Sequence, residues 1–128
     1  MPGTRPHNVY IVEDSAAIRL RLAELIAAMH GVCVVGESAS AGDAIAGILR
    51  TRPDSVLLDL KLTDRTGLDV MRAVRPKAPE ITFVVLTNHC ESQYRDACME
   101  AGARYFLDKS QDFSRVPAVL AEIAASLH

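Results

Sequence analysis

The chain has 128 residues, a formal net charge of −2 and 49% hydrophobic residues, the size and balance of one ordinary globular domain. Acidic and basic residues are mixed along it with no basic run or stripe, which argues against DNA binding by this domain alone. No apolar run approaches the roughly 20 residues of a bilayer span, and residues 1–8 lack the basic-then-apolar pattern of a secretory signal, so a cytoplasmic protein with no membrane partner is expected.

In chain order, residues 9–12 form a short β-branched apolar run that reads as a buried strand ending at Glu13 and Asp14. Ser15 caps a helix whose apolar face is Ile18, Leu22, Leu25, Ile26 and Met29, stopped by Gly31. Residues 32–36 form a second strand. Ser40 and Asp43 open a second helix with the stripe Ile45, Ile48 and Leu49, stopped by Pro53. Residues 55–58 are a third strand ending at Asp59, and a polar loop, residues 61–67, precedes a short helix over 68–74. Residues 81–86 are a fourth strand that delivers Thr87. Tyr94, Ala97, Cys98 and Ala101 share one face of a fourth helix, stopped by Gly102. Residues 103–107 are a fifth strand ending near Lys109. Val116, Val119, Leu120, Ile123 and Leu127 mark a last helix that starts near Ser114, because Pro117 fits only its first turn. Residues 1–7 are expected to be a flexible tail. Cys33, Cys90 and Cys98 are odd in number and lack C-x-x-C spacing, so they read as thiols packed as small apolar groups. The histidines are scattered, and none is assigned to a metal.

Strand and helix alternate five times with short connections. That pattern implies one α/β domain: a parallel sheet with right-handed crossovers and helices on both faces. Functional groups then gather beyond the C-terminal ends of the strands. Those ends present Glu13 and Asp14, Asp59, Thr87 and Lys109. Each alone is an ordinary loop residue; the set, in order, is not. Clustered carboxylates repel, and a hard, oxygen-loving cation such as Mg2+ relieves the repulsion. Such a cation also neutralises a transferring phosphoryl group, and an aspartate carboxylate can attack phosphorus directly.

Residues 9–14 (Val-Tyr-Ile-Val-Glu-Asp), 56–60 (Val-Leu-Leu-Asp-Leu), 84–87 (Val-Val-Leu-Thr) and 101–109 (Ala-Gly-Ala-Arg-Tyr-Phe-Leu-Asp-Lys) resemble the receiver domains of two-component response regulators, and the likeness runs from Asn8 to the last helix. The resemblance implies a flavodoxin-like five-stranded sheet of order 2-1-3-4-5. It implies that Asp59 is the phosphoacceptor, that Asp14 binds magnesium directly with Glu13 acting through water, and that the main-chain carbonyl of Lys61 is a further ligand. Thr87 and Lys109 would bind phosphoryl oxygens, and Gly67 matches the family's glycine after the acceptor loop. Thr87 and Phe106 would form the switch. The expected partners are a histidine kinase or phosphotransfer protein as donor, and an effector or a second copy at the surface of the fourth helix, fifth strand and fifth helix.

Four positions depart from the family pattern. Thr63 stands where proline is frequent, so a looser acceptor loop is expected. Asn88 replaces a small residue and, with His89, lies on the path of attacking water. Phe106 stands where tyrosine is frequent, leaving no phenolic hydroxyl to hold an outward rotamer. Tyr105 should point to the opposite face. Ser110 replaces a proline whose bond to the lysine is commonly cis. With serine the cis form costs about 3–4 kcal/mol against roughly 0.5–1 for proline, so a trans bond is expected.

Three other functions compete with this one. A haloacid-dehalogenase-type phosphatase wants a second acid two residues after its nucleophile, and Lys61 stands there. A flavodoxin's first loop is rich in Ser and Thr, whereas Glu13 and Asp14 would repel a flavin phosphate. A phosphorylation-independent interaction domain has no need of the complete set. The chain ends with its last helix, which favours a stand-alone receiver over a fragment of a longer regulator.

Overall fold

The structure, a computed structural model, describes residues 5–127. Among these residues the elements are β1 (His7–Val12), α1 (Ala16–Ala27), β2 (Val32–Ser38), α2 (Ala41–Thr51), β3 (Ser55–Leu58), α3 (Gly67–Val74), β4 (Thr82–Thr87), α4 (Ser92–Glu100), β5 (Ala103–Asp108) and α5 (Val116–Ser126). The strands form one parallel sheet of order β2-β1-β3-β4-β5, the doubly wound, flavodoxin-like arrangement expected.

The helix starts follow from their caps. Ser15 accepts a hydrogen bond from the Ile18 amide at 3.2 Å, and Ser40 accepts one from Asp43 at 3.2 Å. Helix α3 opens on a capping box of Thr66 and Asp69, a start signal that the polar character of the loop conceals in the sequence. Helix α5 begins at Val116, after a 3-10 turn at Phe113–Arg115, with Pro117 in its first turn.

Strand alternation sorts the core. Tyr10, Val12, Val56, Leu58, Phe83 and Val85 face α2, α3 and α4, while Val9, Ile11, Leu57, Val84, Leu86 and Leu107 face α1 and α5. Each fully buried aliphatic side chain contributes about 1.5–3 kcal/mol of burial free energy. Two apolar assignments fail at the helix ends. Tyr94 lies 40% exposed and Leu127 38% exposed, because the first turn of α4 and the last residues of α5 overhang the sheet rather than pack on it.

Tyr10 is the largest departure from an aliphatic strand interior. Its hydroxyl meets Ser38 Oγ at 2.6 Å, and its ring fills the space where Gly36 and Gly47 carry no side chain. A bulge between Val9 and Tyr10 in the β1–β2 pairing accompanies this packing.

Strand β1 starts at His7, two residues earlier than expected, so His7 does not belong to a tail. Arg5 is also tied down, by paired contacts of 2.8 and 2.7 Å to Asp54. Residues 1–4 of the expected tail lie outside the described residues. The His7 side chain is buried. Its Nε2 meets Ser55 Oγ at 2.8 Å, and its Nδ1 has no hydrogen-bond partner among the described residues. Burial pushes its pKa down, against the charge of Asp54, which favours the proton, and with that of Arg5, which opposes it. The folded state therefore holds the neutral ring. The unfolded chain takes up a proton near the ordinary histidine value of about 6.5, so it binds more protons just below that pH. Stability from this site is complete above about pH 6.5 and is lost as the pH falls from there through the lowered folded value. Urea unfolding from pH 7.5 to 5 should show a steeper loss in the wild type than in His7→Gln; parallel curves would contradict the assignment.

Candidate functional site

At the C-terminal edge of the sheet, β1 and β3 end side by side. The Asp59 amide donates to the Val12 carbonyl at 3.0 Å, which sets the two acidic ends next to each other. Carboxylate oxygens of Glu13, Asp14 and Asp59 lie within 4.8 Å of one another. Glu13 and Asp59 are buried and Asp14 is exposed. Lys109, entering from the end of β5, places its ammonium 2.6 Å from Glu13 Oε1 and 2.7 Å from Asp59 Oδ2. Burial raises the Glu13 carboxyl pKa, outweighing the hydrogen bonds from Lys109 and the Ser15 amide. Burial alone would lower Lys109, but its bonds to Asp59 and Glu13 prevail and its pKa is raised. The ammonium is therefore held charged between two carboxylates.

Asp59 is oriented from both sides. Its Oδ1 accepts the Leu60 amide at 2.7 Å and its Oδ2 accepts Lys109. Each oxygen keeps a further lone pair, so the carboxylate remains able to act as a nucleophile or ligand. Thr87 is fully buried at the end of β4. Its Oγ1 accepts the His89 amide at 3.1 Å, and its carbonyl accepts the Lys109 amide at 2.8 Å. The hydroxyl proton is not used in that bond. Lys61 is exposed, and its backbone forms an isolated bridge with Thr66. Gly67 is required by close approach: a Cβ there would collide with the Asp59 carbonyl oxygen. Phe106 is partly buried on the α2–α3–α4 face with Arg95 stacked 5.6 Å from its ring centre, and Tyr105 packs on the opposite face, as alternation requires.

Two parts of the site have no clear mark in the sequence, and a third has a local one. Arg19, on the first turns of α1, donates to the carbonyls of Glu13 (2.7 Å) and Asp14 (3.3 Å) and pairs with Glu37 at 3.6 Å. Asp64 accepts the amides of Ala41 (2.7 Å) and Gly42 (3.1 Å) at the start of α2, a favourable place for a carboxylate. Asp64 thus fastens the acceptor loop to the start of α2. Asp108 and Asp112 close the turn after β5. An aspartate followed two residues on by serine is the signal that marks such a turn. No peptide bond among the described residues is cis, so Lys109–Ser110 is trans, as expected.

Three carboxylates and an ammonium thus meet at the carboxyl edge of a doubly wound parallel sheet, where the acidic cluster could hold a metal ion. Comparison with known proteins gives the family. The family model of the response regulator receiver domain matches residues 9–121, and the chain belongs to that family. It is 35% identical over 107 residues to the regulatory protein LuxO of Vibrio cholerae, covering 83% of this chain and 23% of that protein. It is 30% identical to the DNA-binding transcriptional activator DevR/DosR of Mycobacterium tuberculosis, covering 80% of this chain and 47% of the relative. A LuxR-family two-component response regulator from Aurantimonas sp. superimposes with a TM-score of 0.88 at 29% identity, covering 94% of this chain and 86% of that one. This chain is therefore a receiver domain of the two-component type, homologous to the phosphoacceptor domains of LuxR-family regulators. It spans 23% and 47% of the lengths of these two curated relatives. No helix among the described residues is long and apolar enough to cross a membrane.

Proposed function

We propose that Asp59 accepts a phosphoryl group from a histidine kinase or phosphotransfer protein, and that Thr87 and Lys109 bind the oxygens of that group. The observation that carries this is the Lys109 ammonium seated 2.7 Å from Asp59 Oδ2, where a phosphoryl oxygen would develop charge. An Asp59 oxygen attacks phosphorus, the bond from phosphorus to the donor nitrogen breaks, and an acyl phosphate forms. Lys109 and the Thr87 hydroxyl then hold its negative charge. Water attacking the same phosphorus returns Asp59 and inorganic phosphate.

The donor set fits a magnesium ion. Its atoms are all oxygens, with Glu13 and Asp59 buried and Asp14 open to retained water. Asp14 and Asp59 would hold it directly, Glu13 through water and Lys61 through its carbonyl. When bound it would supply charge neutralisation for the transferring group. Because the protein ligands are few, affinity should be modest, and NMR titration should show weaker binding in Asp14→Ala than in the wild type. Equal affinity would remove Asp14 from the site.

The output we propose is a switch through Thr87 and Phe106 to the surface of α4, β5 and α5, where an effector or second copy would bind. If the Thr87 hydroxyl turns to donate to the phosphoryl group, it vacates space behind β4 for Phe106 to move into. Phe106 already packs partly on the core with no hydroxyl of its own to anchor it outward, so the two states should differ by little and both be populated. Hydrogen exchange across residues 87–109 should change when beryllofluoride binds; unchanged exchange with the mimic bound would rule the switch out.

A further inference from the structure

We propose that Asp108 is a positioning residue for Lys109: it closes the turn that follows the lysine. The inference rests on the phosphoacceptor reading and extends it by one residue. A lysine aims its charge from the end of a flexible, rotamer-rich stem. Holding that charge between two buried carboxylates therefore requires a fixed backbone at its root. The backbone is pinned on both sides of Lys109. After it, Asp108 Oδ1 accepts the Ser110 amide (2.8 Å), the Ser110 hydroxyl (2.7 Å) and the Gln111 amide (3.3 Å). Before it, the Asp108 amide donates to Asp112 Oδ2 at 2.9 Å, and the Asp112 amide donates back to the Asp108 carbonyl at 2.7 Å. The lysine amide itself is held by the Thr87 carbonyl.

The same carbonyl receives the Cys90 thiol at 3.3 Å. The Thr87 carbonyl thus joins the turn that carries Lys109 to the loop that follows Thr87. The hydrogen bonds from the Ser110 hydroxyl and amide hold the Asp108 carboxyl below the usual carboxylate range. An aspartate that merely stabilised an exposed turn would do so whatever lysine followed it, and this difference is measurable.

The test is a double-mutant cycle on the rate at which acetyl phosphate labels Asp59, with thermal melting recorded for every variant. Asp108→Ala should slow labelling about tenfold, since small misplacements of a reacting group are costly. Asp108→Asn should label near the wild-type rate, because its amide oxygen accepts the same three bonds. In the Lys109→Ala background, Asp108→Ala should slow labelling no further, since residues acting through one another are not additive. If Asp108→Ala does not fold, Ser110→Ala takes its place in the cycle, with a smaller loss of about two- to threefold that also vanishes without the lysine. Losses that multiply with that of Lys109→Ala, or an Asp108→Asn as slow as Asp108→Ala, would overturn the proposal while leaving the phosphoacceptor reading intact. An unlabelled wild type would overturn both.

Discussion

Lys109→Ala is expected to slow phosphorylation of Asp59 on the order of 10²-fold and to destabilise the metal-free domain by about 3–5 kcal/mol. The first effect follows from removing the one ammonium aimed at the place where phosphoryl charge develops. The second follows from what is left behind. Glu13 and Asp59 have only 3% and 7% of their side-chain surface exposed, and Lys109 bridges them at 2.6 and 2.7 Å. Taking one partner from a buried ion pair leaves its charge short of compensation, and here Glu13 and Asp59 would keep the Ser15 and Leu60 amides but lose the ammonium they share. Asp59→Asn in the same chain should therefore recover much of the lost stability while recovering none of the labelling. Urea unfolding in the presence of a chelator measures this directly. A deficit below about 1 kcal/mol, or a double variant no more stable than Lys109→Ala, would show that the ammonium is not the counter-charge the geometry makes it.

The second large effect lies away from the site. Inside a helix, glycine to alanine ordinarily stabilises by about 0.8–1 kcal/mol. Gly47→Ala in α2 should instead destabilise, by roughly 1–3 kcal/mol of overpacking, because the new methyl would occupy the position of the Tyr10 hydroxyl. Gly36→Ala should behave alike, with the collision at the edge of the same ring. Tyr10→Phe removes the hydroxyl and should relieve part of the Gly47→Ala cost; Tyr10→Val should relieve more of it and that of Gly36→Ala. Melting temperatures of the single and paired variants test the sign. A stabilising Gly47→Ala would mean that the Tyr10 ring is not confined between the two glycines.

Much of this arrangement is legible in the order of the residues. The strands of a doubly wound sheet are buried on both faces, so they stand out as short apolar runs, and residues 55–58 coincide with β3. The same topology sends every strand's C-terminal end to one edge, so Glu13, Asp14, Asp59, Thr87 and Lys109 could be grouped from order alone. What stayed hidden depends on contacts between segments distant in sequence. Arg19 lies on a half-exposed helix face with no periodicity to mark it, and its partners are backbone carbonyls. Asp64 reads as one more polar loop residue until α2 places two free amides against it. Tyr10 reads as one more residue of a buried apolar strand; only the packing of β1 against β2 and α2 brings Gly36 and Gly47 around it. The apolar pattern misled where it ran past the sheet, at Tyr94 and Leu127, since periodicity marks a face but not where its support ends.

The central claim is that Asp59 carries the phosphoryl group, and its chemistry offers a direct measurement. An acyl phosphate is reduced by borohydride to an alcohol, whereas a free carboxylate is not. The domain would be treated with acetyl phosphate and Mg2+, reduced, digested and sequenced by mass spectrometry. The account predicts homoserine at residue 59, dependent on the phosphodonor and absent from Lys109→Ala at short times. Reduction at Glu13, Asp14 or another carboxylate, or a protein unchanged after treatment, would contradict it.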